Sequence, residues 1–372
     1  MTSAVPPLPV PASTAIWPPD SLEHLGRCPV CQSADRKVLH TGLTDRLFNC
    51  APGIWTLHRC GACACAYLDP RPDPQSIGLA YSQYFTHDNS DTPSTSAPPT
   101  RQGLRAWLRA GLKGYCNARW GMALTPANAW GRWWVPLVVP LRSWQVAHLR
   151  HLPRQLPRPR ATLLDVGCGN GEFLAMARAA GWQVQGVDFD PLAVASAHKR
   201  GLNVRQGGLE QVAHQTAYYD RITCSHVIEH VHDPVQWLQD MVKLLRPGGT
   251  LWLQTPNIDS LGHRIFGADW RGLEPPRHLA IFKTHTLLQQ FTRMGLTPRL
   301  RRLPILSAMA LHATSDALRR GQCATRPLRL TELLRMHYLA PALQQAWSVK
   351  HAEFITVTAT KVPFTEPVTS VK

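Results

Sequence analysis

From Thr162 onward, short apolar runs alternate with amphipathic stretches, the rhythm of a parallel sheet covered by helices. "ATLLDVG", "WQVQGVDFD", "RITCSHV" and "TLWLQTPN" read as strands, and "AEFITVTATK" at 352–361 alternates like a final one. Between them "GEFLAMARAAG" reads as a helix ending at Gly181, and "PLAVASAHKRG" as one opening at Pro191 and stopping at Gly201. "DPVQWLQDMVKLLRPGG" reads as a third helix, and the stretch from about 303 to 347 is helical in pattern and rich in Arg. The predicted fold class is α/β: a doubly wound, mostly parallel sheet over 161–302, a helical insertion at 303–348, a last core strand at 349–362 and a tail at 363–372.

Upstream the rhythm is lost. Residues 1–20 read as a Pro-rich disordered tail, 21–75 as a small module carrying paired cysteines, and 76–160 as a linker with a helical addition. With 372 residues, 44% of them hydrophobic, the chain can form one full-sized domain and a smaller one. The N-terminus lacks the charge and apolar run of a signal peptide. The longest apolar run, "WVPLVVPL", is far short of the roughly 20 residues that span a bilayer. A reducing, cytoplasmic location is expected.

Charge changes this picture locally. The formal net charge is +16, and residues 101–160 hold ten Arg, one Lys and six Trp with no Asp or Glu. This segment is compatible with nucleic acid, with peripheral contact at the inner face of a membrane through 101–150, or with a helical subdomain that buries its Trp and solvates its Arg. Of the two functional readings the membrane, or a lipid-linked acceptor, suits "WVPLVVPL" better.

The first strand of the repeat ends in "DVGCGNGEF", placing Gly167, Gly169 and Gly171 directly after Asp165, and the second ends near Asp188. Glycines there let a ligand approach the backbone, and the next helix offers free N–H groups. Their GxGxG spacing differs from the GxGxxG of dinucleotide sites, although NAD or no ligand remains the bland alternative. Over roughly 160–300, through "LLDVGCGNGEF", "GVDFDP", "HVIEHVHDP", "LLRPGGTLWLQTPN" and "LEPPRHLAIF", the chain resembles the class I S-adenosylmethionine-dependent methyltransferases, in particular the ubiquinone-biosynthesis O-methyltransferase and bacterial sugar methyltransferase group. The resemblance implies a seven-stranded Rossmann-like sheet. It implies that Asp165, Gly167, Gly169 and Gly171 hold the methionine part of the cofactor, Asp188 its ribose, and the region around Leu209 its adenine. Cys168, Phe189 and Ser225 complete the expected cofactor set.

"SHVIEHVHDP" follows the next strand, where ligands of such folds sit. A helical turn there puts His226, Glu229 and His230 on one face. A histidine oriented by a carboxylate suits removal of an acceptor's proton, and the resemblance makes the Glu229–His230 pair catalytic. Some relatives bind a divalent metal through a carboxylate-x-x-Glu-His set, from which His226 departs. Each of these residues also has a structural reading, in which Glu229 braces the turn and the histidines are polar surface. His232 is expected at the solvent face, and His278, in a loop fixed by two prolines, is a further catalytic or bracing candidate.

Cys28, Cys31, Cys60 and Cys63 form two CxxC knuckles suited to a structural, four-thiolate zinc, with Cys65 able to replace Cys63. Tyr81, Tyr84 and Phe85 either line an acceptor pocket or pack between domains. The leading expectation is methyl transfer to a hydroxyl or activated carbon of a small or lipid-linked acceptor such as a sugar, a quinone or a cell-envelope precursor. RNA methylation, or a silent binding module that keeps the fold, are the alternatives.

Overall fold

The computed structural model describes residues 16–81, 99–138, 148–302, 305–322 and 349–362. Tyr84, Phe85, most of the expected linker, the tails 1–15 and 363–372, and residues 323–348 of the expected helical insertion lie outside the described residues.

The N-terminal module is built from β1 (Leu22–Glu23), β2 (Arg36–Leu43), β3 (Trp55–Cys60), β4 (Ala66–Leu68) and β5 (Arg71–Pro72). β1 pairs with β5, while β2, β3 and β4 form an antiparallel sheet. Trp17 corrects the expected disordered tail: its indole is buried edge-on against Trp55, 5.4 Å between centroids, because so much apolar area is stabilised by leaving water. Two helices follow, α1 (Pro99–Trp120) and α2 (Gly131–Trp134). They approach closely where Gly131 meets the Gly111 carbonyl, a place with no room for a side chain.

The catalytic-size domain runs β6 (Thr162–Val166), α3 (Glu172–Ala179), β7 (Gln183–Asp188), α4 (Pro191–Lys199), β8 (Val204–Gln206), β9 (Tyr219–Ser225), α5 (Pro234–Leu244), β10 (Leu245–Pro256), α6 (Leu261–Phe266), β11 (Ala280–Ile281), α7 (Thr284–Arg293), β12 (Leu296–Leu300), α8 (Ile305–Arg319) and β13 (Phe354–Lys361). Seven strands form one sheet in the order β12-β13-β10-β9-β6-β7-β8. β13 alone runs antiparallel to its neighbours. The chain reverses direction across the sheet between β6 and β9, which opens a crevice at their carboxyl ends. Asp190 and Asp233 accept from Leu192 N (2.8 Å) and Gln236 N (2.9 Å), so both Asp-Pro pairs cap and start the helices α4 and α5.

One expectation about the helices needs correcting. The helix read through "RPGG" stops at Leu244, since Pro247 and the left-handed Gly248 (φ 76°) cannot continue it, and the segment joins β10 through a register shift. The module packs into the larger domain. β11 of the larger domain pairs with β4, and Trp55, Leu57 and Leu68 share one core with Ile258, Trp270 and Ile281.

Candidate functional site

β6 carries Asp165 to the mouth of the crevice, and the chain then turns through three glycines of positive φ: Gly167 (71°), Gly169 (55°) and Gly171 (77°). At Gly167 and Gly171 close packing adds to that backbone demand, since a Cβ would lie 2.4 Å from Val227 and from Leu202 respectively. Asp188, at the end of β7, accepts from Gly169 N (2.7 Å) and Asp190 N (2.9 Å), so its carboxylate is fixed beside the loop with lone pairs to spare. Cys168 is buried behind the loop, Ser225 is half-buried at the end of β9, and Leu209 is buried next to Gly208. Phe189 is 73% exposed, its ring edge over Gly208. The structure therefore brings the predicted cofactor set to one rim.

Asp165 is buried and accepts from Thr223 Oγ1 (2.6 Å). Burial pushes its carboxyl up to about 8, with Asp188 adding to the rise and the Thr223 bond opposing it. Such a carboxyl is short of a cation. A sulfonium amino acid with its ammonium group is a ligand of the right charge, so the residues present fit the expected nucleoside cofactor.

Just past the end of β9, the neighbour of β6, His226 stands in the left-handed region (φ 57°), and a 3-10 turn runs from Ile228 to His230. Glu229 is fully buried and uses both oxygens, accepting from His226 Nδ1 (3.2 Å) and from Thr255 Oγ1 (2.9 Å). Burial disfavours its charge, but the His226 bond and the nearby His226, His230 and His278 outweigh that and hold the carboxyl down at about 2. A carboxylate only accepts, so the His226 Nδ1–H is the donor of this bond and its Nε2 is turned away from Glu229. The same logic applies to His230, whose Nδ1 donates to the Arg277 carbonyl (2.9 Å) with the Tyr81 hydroxyl at 3.0 Å. His278 gives Nδ1–H to the Gly272 carbonyl (2.8 Å), and burial lowers its pKa to about 4, leaving it neutral.

Glu229 thus orients His226, where the sequence suggested His230. His230 and His278 stand edge to face (4.8 Å), and together with Glu229 they are one of two groups of potential metal-ligating atoms among the described residues. His232 corrects its solvent assignment: Nε2 donates to the Pro72 carbonyl (3.0 Å) and braces β5.

The other group is Cys28, Cys31, Cys60 and Cys63, whose sulfurs lie within 4.8 Å of one another. The pairs Cys28–Cys63 and Cys31–Cys60 stand 3.6 and 3.5 Å apart. Four sulfurs about 2.3 Å from a tetrahedral ion lie about 3.8 Å apart, so this set fits zinc. Each knuckle ends in a left-handed residue, Gln32 (64°) and Ala64 (60°), and Val30 N and Cys63 N point at cysteine sulfurs. Cys65 is buried just outside, accepting from Lys283 N.

Residues 141–300 match a family described as a methyltransferase domain. Together with the seven-stranded order and the glycine rim, this match decides the family. The chain carries a class I S-adenosylmethionine-dependent methyltransferase domain. A ubiquinone biosynthesis O-methyltransferase of Xanthomonas campestris is 33% identical over 135 residues, covering 34% of this chain and 56% of its own length. One from Nitrosospira multiformis is 33% identical over 150 residues, covering 37% and 63%. The chain therefore spans little more than half the length of these relatives. A solved S-adenosylmethionine dependent methyltransferase from Mesorhizobium loti aligns with a TM-score of 0.40 and 17% identity over 59% of this chain and 97% of its own.

The methyltransferase domain also uses residues that the sequence did not single out. Arg277 is fully buried, its guanidinium held by Asp45 of the module (2.6 and 3.0 Å) and by Glu274 (3.1 Å), while its carbonyl holds His230. Its place beside His278 in "PPRHLAIF" was the only available hint.

Proposed function

We propose that the protein transfers a methyl group from S-adenosylmethionine to a hydroxyl or activated carbon of a small or lipid-linked acceptor, such as a sugar, quinone or cell-envelope precursor. Bound at the glycine rim, the cofactor supplies an electrophilic methyl on a sulfonium. The protein's part is to hold the acceptor in line and to take its proton. The imidazole cluster braced by Glu229 serves that step, and the carrying observation is that a buried carboxylate just past a strand end holds a half-exposed imidazole by its Nδ1.

Within the cluster, the expected acceptor His230 has a competitor. His226 has the stronger claim, because the buried carboxylate orients it and its side chain is 37% exposed. With an acceptor of the quinone-precursor or sugar class, His226→Ala is expected to lower turnover at least about 100-fold and His230→Ala less, both with unchanged cofactor affinity by calorimetry. Unaltered turnover in both variants would remove the cluster from the chemistry.

We further propose that the four cysteines hold one structural zinc. Its closed coordination leaves no position for substrate, so its effect is on folding. Elemental analysis is expected to give one zinc per chain, and stripping it with a chelator to lower the melting temperature by ten degrees or more. A metal-free chain of equal stability would refute this assignment.

A further inference from the structure

At the opposite end of the sheet lies a cleft of about 870 Å³ that the chemistry above does not use. Its walls come from the end of α1, from α2, from the chain just before β6 and from the end of α3. In a parallel sheet these segments mark the amino ends of the strands, whereas the glycine loop marks the carboxyl ends. The cleft is therefore separate from the cofactor rim.

Four guanidiniums line it, those of Arg119, Arg132, Arg154 and Arg178, and among the described residues none that lines it is acidic. Three of the four are held by neutral partners. Arg119 lies over Trp120 (5.0 Å), Arg132 over Trp133 (4.9 Å), and Arg178 donates to the carbonyls of Gly201 (2.8 Å) and Arg200 (3.1 Å). Two helix ends, α1 and α3, point carbonyls this way, but each supplies only about half a negative charge against four positive ones. Most of the charge stays uncompensated, and planar guanidiniums are the natural partners of phosphate oxygens.

The neighbouring surface narrows the source of the phosphate. In the segment that carries Arg132 into the cleft, Trp130, Trp133 and Leu137 are 73%, 64% and 80% exposed. Further along α1, Leu104 is 61% exposed. Indoles can stack on bases, but exposed leucines contribute little to a nucleic-acid groove. Indole, leucine and arginine together make the composition of a helix lying at headgroup depth. No described helix is long and apolar enough to cross a membrane, so such contact would be peripheral. We infer that the arginine cleft and its exposed tryptophan rim form a docking site for the phosphate headgroups of an anionic membrane surface.

The test is flotation of the full chain with phosphatidylcholine vesicles, with and without phosphatidylglycerol. Binding is expected only with phosphatidylglycerol, to weaken at least tenfold in the Arg119→Gln/Arg132→Gln double variant and several-fold in Trp130→Ser, and to fall with salt. Cofactor titration and thermal melting should be unchanged in these variants, which shows that they fold. The inference is overturned by absence of binding to the anionic vesicles at low salt, or by equal binding of the folded double variant. Tighter binding of a single-stranded RNA than of vesicles at the same salt would also overturn it. So would saturable binding of inorganic pyrophosphate without vesicle binding.

Discussion

Two buried carboxyls, one at the end of β6 and one in the turn after β9, have environments that drive them in opposite directions. Asp165 has one hydroxyl donor and a second carboxylate nearby, so burial dominates and lifts it to about 8. Glu229 is as deeply buried, yet His226 and two further imidazoles hold it near 2. Burial alone therefore does not set the charge of a site; what decides it is whether the protein supplies its own counter-groups. Around Glu229 it does. Around Asp165 it leaves a deficit that a cationic ligand can fill.

Paired substitutions test this contrast most strongly. Glu229→Gln is expected to lower turnover at least about 100-fold and to cost on the order of 3 kcal/mol at neutral pH. The sign follows from its depressed pKa, which contributes stability above the ordinary value of 4.5 that is lost as pH falls through about 2. Asp165→Asn should do the reverse. The raised Asp165 contributes stability below its ordinary 3.8, and this is lost as pH rises through about 8. Melting temperature in the Asn variant should therefore overtake that of the native protein toward pH 8, while cofactor affinity collapses. Thermal melts across pH 4–9 decide the matter, and a loss of stability in both variants at pH 8 would erase the contrast.

A smaller effect sharpens it. If Asp165 meets the cofactor as a carboxylate, binding at pH 7 releases close to one proton. Calorimetry in two buffers of different ionisation heat would register it, and affinity should rise with pH toward about 8. A buffer-independent binding heat would mean that Asp165 is already ionised before the cofactor arrives.

How far these features could be read in advance depended on whether their causes were local. The glycine loop, the two Asp-Pro helix starts and the CxxC knuckles are short-range patterns whose geometry follows from residue type, and they were legible. β8, only three residues long, and β12, with its alternating exposure, escaped the apolar-run reading because neither presents a continuous apolar stretch. "RPGG" was absorbed into a helix because the apolar period before it was strong, although proline and glycine prevailed locally. Asp45 and Arg277, 232 residues apart, could not be paired at all, and neither could Glu229 with Thr255 or His232 with Pro72. Such contacts exist only once the sheet has brought distant loops together.

The pairing of β4 with β11, together with the buried Asp45–Arg277 contact, bears on any attempt to trim this molecule. An excised methyltransferase domain beginning near residue 161 would carry an open sheet edge and a buried guanidinium left with Glu274 alone of its two carboxylates, on the very peptide that steadies His230. The cysteine module is better regarded as a wall of the larger domain than as an appendage, so grafting one half onto a foreign partner would require rebuilding that wall.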